Sequence, residues 1–151
     1  MKSIVFVEKI AKDSKNLGKQ FLKSFESFSV ADEFNKANAI FIKSNLTYPR
    51  YREGVTTRVE FVEGLVTALR QINNSTKIYI GEGEGGYNSF SMTEAMLSMG
   101  FYELEKRFQN LKVVNISKIP ASIVELKVDG KPYPINLPKL FFDPHLSRNL
   151  Y

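Results

Sequence analysis

The chain has 151 residues, 43% hydrophobic and 13% aromatic, which is enough for a single domain over residues 1–151 with a packed core. It has no cysteine and one histidine, His145, which excludes disulfides, thiolate catalysis, cysteine-held iron–sulfur or zinc sites and histidine-rich metal clusters. The net charge of +5 comes from 21 basic and 16 acidic residues, with much of the excess as isolated lysines, so it reads as a solvated surface ahead of a nucleic-acid groove.

Ser3 to Val7 reads as a first strand. A helix is expected from about Asp13 to Phe28, with Leu17, Phe21, Leu22, Phe25 and Phe28 on one face and Gly18 as its weak point. Ala39-Ile40-Phe41-Ile42 is a second strand whose continuous hydrophobicity suits burial on both faces. The longest apolar runs, here and at Ile4–Val7, are far below the ~18 residues of a membrane span, and Glu8 cuts off a secretory segment, so a cytoplasmic protein is expected.

A long polar loop follows, and Thr57-x-x-Glu60 has capping-box spacing ahead of a helix to Ile72 that presents Val62, Leu65, Val66, Leu69 and Ile72 to the core. Asn73-Asn74-Ser75 closes it. Lys77 to Ile80 is a third strand, running into the glycine loop Gly81-Glu82-Gly83-Glu84-Gly85-Gly86-Tyr87-Asn88. Ser91-x-x-Glu94 opens the next helix, which buries Met92, Ala95, Met96 and Met99 before Gly100 ends it. A helical piece at Tyr102–Phe108 and a fourth strand at Leu111–Ile116 complete the α/β pattern. Strict alternation then begins, with Val124, Leu126 and Val128 before Asp129-Gly130 and Tyr133, Ile135 and Leu137 after it. This is a hairpin, and Pro132 and Pro134 confine its second arm to an edge. The expected architecture is a mainly parallel sheet of about four strands with helices on both faces and the hairpin at the sheet edge.

In such sheets ligands sit beyond the carboxyl ends of the strands, where the Lys43–Thr57 loop and the glycine loop would face each other. Lys43, Arg50, Arg52 and Arg58 against Glu53 alone make the first loop basic, as a carboxylate or phosphate site requires. Asn45, Thr56 and Thr57 add neutral hydrogen-bonding groups, and Lys43 is the candidate acid, base or anion contact. Backbone N–H groups of Gly81, Gly83, Gly85 and Gly86 would form the floor. The formal G-x-G-x-x-G match carries little weight, because it follows the third strand and Glu82 and Glu84 would repel a pyrophosphate. Those two carboxylates admit Mg2+ or Mn2+ as oxygen-held ions, or are solvated loop charges. A Tyr- and Arg-rich surface at Tyr48–Arg52 admits the alternative of a non-catalytic interaction module or a truncated relative of a larger enzyme, with that loop contacting another protein or a second copy of the chain.

Several of these stretches carry a resemblance: Ile42-Lys43-Ser44-Asn45, Thr56-Thr57, the helix to Leu69, Ile80-Gly81-Glu82-Gly83, Gly100-Phe101 and Val113-Val114-Asn115 resemble the uncharacterised family catalogued as domain of unknown function 362, over roughly residues 38 to 120. Ser44 stands where that family usually has proline and Asn115 where an acidic residue is frequent. The resemblance implies a Rossmann-like α/β domain, often joined to a ferredoxin-like iron–sulfur module, which a chain without cysteine cannot hold. It also implies that Leu140–Tyr151 is a shortened or divergent end, and it supplies no reaction. The function expected is binding of a small anionic metabolite between the two loops.

Overall fold

The computed structural model describes residues 5–10, 17–85 and 89–142. Strands β1 (Ala39–Lys43), β2 (Lys77–Glu82) and β3 (Leu111–Asn115) form one parallel sheet in that spatial order. Between them run α3 (Val59–Ile72), then α4 (Met92–Ser98) and α5 (Tyr102–Arg107), while α1 (Leu17–Phe28) and α2 (Ala31–Lys36) precede β1. Strands β4 (Ala121–Val128) and β5 (Lys131–Pro138) form a separate antiparallel pair. Among the described residues no helix is long and apolar enough to cross a membrane.

The order β1-β2-β3 advances in one direction, so right-handed crossovers put α3, α4 and α5 on the same face. Burial agrees. Ile40, Ile42, Ile78, Ile80, Leu111 and Val113, one alternate row of each strand, join Val62, Val66, Leu69, Met92, Met96, Phe101 and Leu104 in a single core. Phe41, Tyr79 and Val114, from the opposite row, are only half-buried and lie outside it. The described helices therefore cover one face, not both.

Two further expectations change. Residues 5–7 of the expected first strand pair with no strand; Val5 and Val7 are 79% and 87% exposed, while Phe6 meets the Phe28 ring edge-on at 6.4 Å. An apolar run this short does not by itself separate a strand from an extended segment docked on a helix. Among the described residues the parallel sheet thus has three strands, not four. The hairpin does form, with Asp129 and Gly130 both at positive φ, but it joins neither edge of the parallel sheet. Pro132, Pro134 and Pro138 leave the outer side of β5 poor in the N–H donors that such an addition needs.

The helix packing explains the glycine that weakened the α1 expectation. Gly18 lies against Thr67, and across the same contact a Cβ on Gly64 would fall 2.5 Å from the Leu17 Cβ. These glycines let α1 and α3 approach closely. At the other end, Arg70 donates to the carbonyls of Thr76, Gln109 and Asn110, tying the last turn of α3 to the starts of β2 and β3. Asn73 Oδ1 accepts from Ser75 and Thr76 in the expected turn. The expected start of α1 near Asp13 lies outside the described residues.

Gly64→Ala should lower stability by about 1–2 kcal/mol, the overpacking strain exceeding the gain of about 1 kcal/mol in helix propensity. Urea unfolding would show this as a lower midpoint at unchanged slope; an unchanged or higher midpoint would contradict the tight crossing.

Candidate functional site

The parallel register brings the three carboxyl ends level, pairing Lys43 with Gly81 and Glu82 with Asn115. Beyond β1, the Ser44 N–H donates to the Gly81 carbonyl at 3.1 Å, adding one bond to the ladder. A proline there would lose that bond. The Ser44 hydroxyl is buried and has no hydrogen-bond partner among the described residues.

The loop after β1 is held by its own polar groups. Asn45 Nδ2 donates to the Val55 carbonyl at 2.7 Å, and Thr56 Oγ1 accepts from the Arg52 N–H at 2.8 Å. Thr57 departs from its expected role: its Oγ1 accepts from the Asn45 N–H at 2.9 Å, so it braces the loop and does not cap α3. Arg58 takes the cap position with no side-chain hydrogen bond to the helix. Among the described residues, the first N–H groups of α3, those of Val59 and Glu60, therefore have no protein acceptor. The Ser91 cap is as expected, its Oγ accepting from the Glu94 N–H.

Beside that uncapped start lies an open cleft of about 620 Å³. Arg50, Tyr51, Glu53, Thr57, Arg58, Val59 and Glu60 line one side, and Ser98 and Met99 at the end of α4 line the other. Among the described residues the glycine loop is not part of its wall. Arg58 contacts Glu60 at 3.4 Å, with both side chains half exposed. Arg52 stands 4.7 Å over the Tyr48 ring and does not line the cleft.

The acidic loop is organised differently. Lys43 Nζ lies 2.7 Å from Glu82 Oε2, and Glu82 Oε1 accepts from the Gly83 N–H. Glu84 accepts from the Met92 N–H and from Asn115 Nδ2, each at 2.8 Å. Asn115 also donates to Thr93 and accepts from the Ser117 N–H, while Ser117 Oγ accepts from the Glu84 N–H. Glu84 thus acts as a carboxylate cap for α4, and the sequence hid this because the partner lies eight residues on. Its carboxyl sits below the usual range because of the Asn115 amide first and the Met92 N–H second.

Both glutamates are engaged by protein donors, and among the described residues no group of three or more Asp, Glu or His side chains stands ready to hold an ion. As they stand, the two carboxylates serve Lys43 and the Gly83 N–H on one side and Asn115 and the Met92 N–H on the other. The glycines differ as well. A Cβ on Gly81 would meet the Phe41 ring at 2.9 Å and Val114 at 3.0 Å, so a larger residue there would have to displace those side chains. Gly83 faces Ser117 Oγ at 3.1 Å, Gly85 is open, and Gly86 lies outside the described residues, as does His145.

A model of the family described as Domain of unknown function (DUF362) matches residues 40–143, a span that takes in the hairpin as well as the parallel sheet. No curated protein and no solved structure matches the chain.

The folded-state pKa of Glu84 lies below its unfolded value of about 4.3, so its contribution to stability is full above that pH and is lost as pH falls through the folded pKa. Glu84→Gln should flatten that part of the acid limb in thermal melts taken between neutral and strongly acidic pH. An unchanged acid limb would show that the Asn115 and Met92 contacts do not bias the ionised form.

Proposed function

The chain belongs to the family of unknown function whose model it matches, so membership brings no reaction with it, and we propose that the protein binds a small anionic metabolite, a carboxylate or a phosphate, in the cleft at the start of α3. The observation that carries this reading is the pairing of an uncapped helix start with Arg50 and Arg58. Thr57, which the capping-box spacing assigns to α3, serves the loop, and Arg58 at the cap position offers the helix no side-chain acceptor, which leaves the N–H groups of Val59 and Glu60 to an external acceptor. The 14-residue helix adds the positive end of its dipole. Arg50 and Arg58 supply charge with bidentate geometry. The long, half-exposed Arg58–Glu60 contact is one a ligand oxyanion can replace, since such pairs contribute only ~0–1 kcal/mol.

Asn45 and Thr57 then serve as the brace that shapes the loop. Lys43, held by Glu82 at the ends of β1 and β2, is outside the described wall of the cleft. Its part in this reading is to neutralise the acidic loop, with contact to a larger ligand as the alternative. A rival reading, a protein-interaction module, is favoured by the exposure of Tyr48 and Tyr51 on the same loop. The proposed location is cytoplasmic.

A thermal-shift screen with phosphorylated and carboxylated metabolites tests the proposal. A ligand at a hundred times its dissociation constant should add about 2.7 kcal/mol, or roughly 5–10 °C for a chain of this size. Arg58→Ala and Arg50→Ala should each abolish most of that shift while leaving the ligand-free melting temperature within a few degrees. A screen with no shift, or hits indifferent to both substitutions, would overturn the assignment; a stable partner complex lost in Tyr51→Ala would favour the rival.

A further inference from the structure

The hairpin has one closed edge and one open edge. In an antiparallel pair, residues alternate between positions that exchange hydrogen bonds across the pair and positions whose N–H and C=O point outward. Proline has no N–H to exchange, so Pro132, Pro134 and Pro138, opposite Lys127, Glu125 and Ala121, must sit in the outward-pointing pairs. The outer edge of β5 therefore offers only the N–H of Asn136. The outer edge of β4 is complete: Ala121, Ile123, Glu125 and Lys127 direct both N–H and C=O outward, and among the described residues none of these groups has a partner other than solvent.

The same alternation gives the hairpin an apolar face that its own chain covers poorly. Val124, Leu126 and Val128 lie opposite Ile135, Tyr133 and Lys131, with Leu126 47% and Tyr133 50% exposed. A two-stranded ribbon alone is marginal in water, and additional strands give such a face a larger platform.

We propose that β4 pairs antiparallel with β4 of a second copy of this chain, about a two-fold axis at Leu126, to make a four-stranded sheet. The outward residues of β4 are its odd-numbered ones, and this axis sets Glu125 opposite the partner's Lys127 and Lys127 opposite the partner's Glu125. Both pairs can exchange two backbone hydrogen bonds, and in both the side chains facing each other carry opposite charge. On the other face Leu126 meets its own equivalent, and Val124 meets the partner's Val128. Registers centred on Glu125 or on Lys127 would instead place like charges opposite each other. The edge is therefore complementary to itself in one register, which is what a two-fold contact requires.

Sedimentation equilibrium of the full chain tests this. The wild type should show a reversible monomer–dimer equilibrium. Glu125→Lys and Lys127→Glu should each raise the dimer dissociation constant about tenfold or more, because both symmetry-related pairs become repulsive. An equimolar mixture of these two variants should regain wild-type association, as should the single chain carrying both exchanges, since opposite charges again face each other. Circular dichroism melts of the dilute variants, matching wild type, would show that the fold is intact. A wild type that stays monomeric to millimolar concentration, a dimer indifferent to either single exchange, or a failure of the mixture to reassociate would overturn the proposal. None of these readings involves the anion cleft, so either proposal can fail alone.

Discussion

The hydrogen-bonded register that lays Ile42 beside Ile80 and Gly81 beside Val114 governs the carboxyl end of the sheet. A slip of one residue would turn Ile78 and Ile80 from the helix-covered core to the opposite face, and their near-complete burial fixes the register. With that register set, Lys43, Glu82 and Asn115 emerge at one level. The Phe41 ring and Val114 then occupy the space beside Gly81 that a side chain would take. Gly81, one of the four glycines the sequence offers as a ligand floor, packs within the sheet.

Charge at this end is distributed so that most of the acidic groups are satisfied locally. Glu84 receives a helix N–H and an amide, and Asn115 can donate to it where an acidic side chain at that position could only repel it or share an ion with it. Its departure from the resemblance thus goes with a carboxylate used structurally. Glu82 is met by Lys43 and by its neighbour's N–H. The lysine is 63% exposed, so their pairing adds little to stability, and its effect is to cancel charge at the mouth of the sheet. Arg50 and Arg58 then remain the cations beside unpartnered helix N–H groups.

Long periodic patterns were legible in the sequence because burial is periodic: α3, the Met-lined α4, the three parallel strands and the Asp129-Gly130 hairpin all follow from spacing and turn chemistry. The six-residue α2 escaped because so short a segment offers barely two turns of pattern, although Asp32, Glu33 and Lys36 sit at the ends their charges favour. Thr57 was misread for a different reason. Capping spacing is a local signal, and the Asn45 N–H that takes its oxygen lies 12 residues earlier. The basic residues of the site were legible as a loop, but the wall facing them, Ser98 and Met99, depends on how α4 returns past that loop. Ser98 Oγ reaches the Pro49 carbonyl at 3.2 Å, a contact 49 residues apart that no spacing encodes.

Two places in the chain hold backbone donors without a protein acceptor among the described residues. Folded chains pair nearly all their main-chain groups, so the places where donors are held in fixed geometry without a protein acceptor are informative. At the start of α3 the arrangement arises because Arg58 holds the cap position without a side-chain acceptor while Thr57 braces the loop; along β4 it arises because prolines close the other edge of the hairpin and leave this one intact. Both lie at the surface, where solvent can pair with such groups, so neither need cost stability. What distinguishes them is the chemistry beside them. Two converging N–H groups next to arginines suit a compact oxyanion, whereas an extended ladder flanked by one acid and one base two residues apart suits another strand, and most simply the same strand reversed.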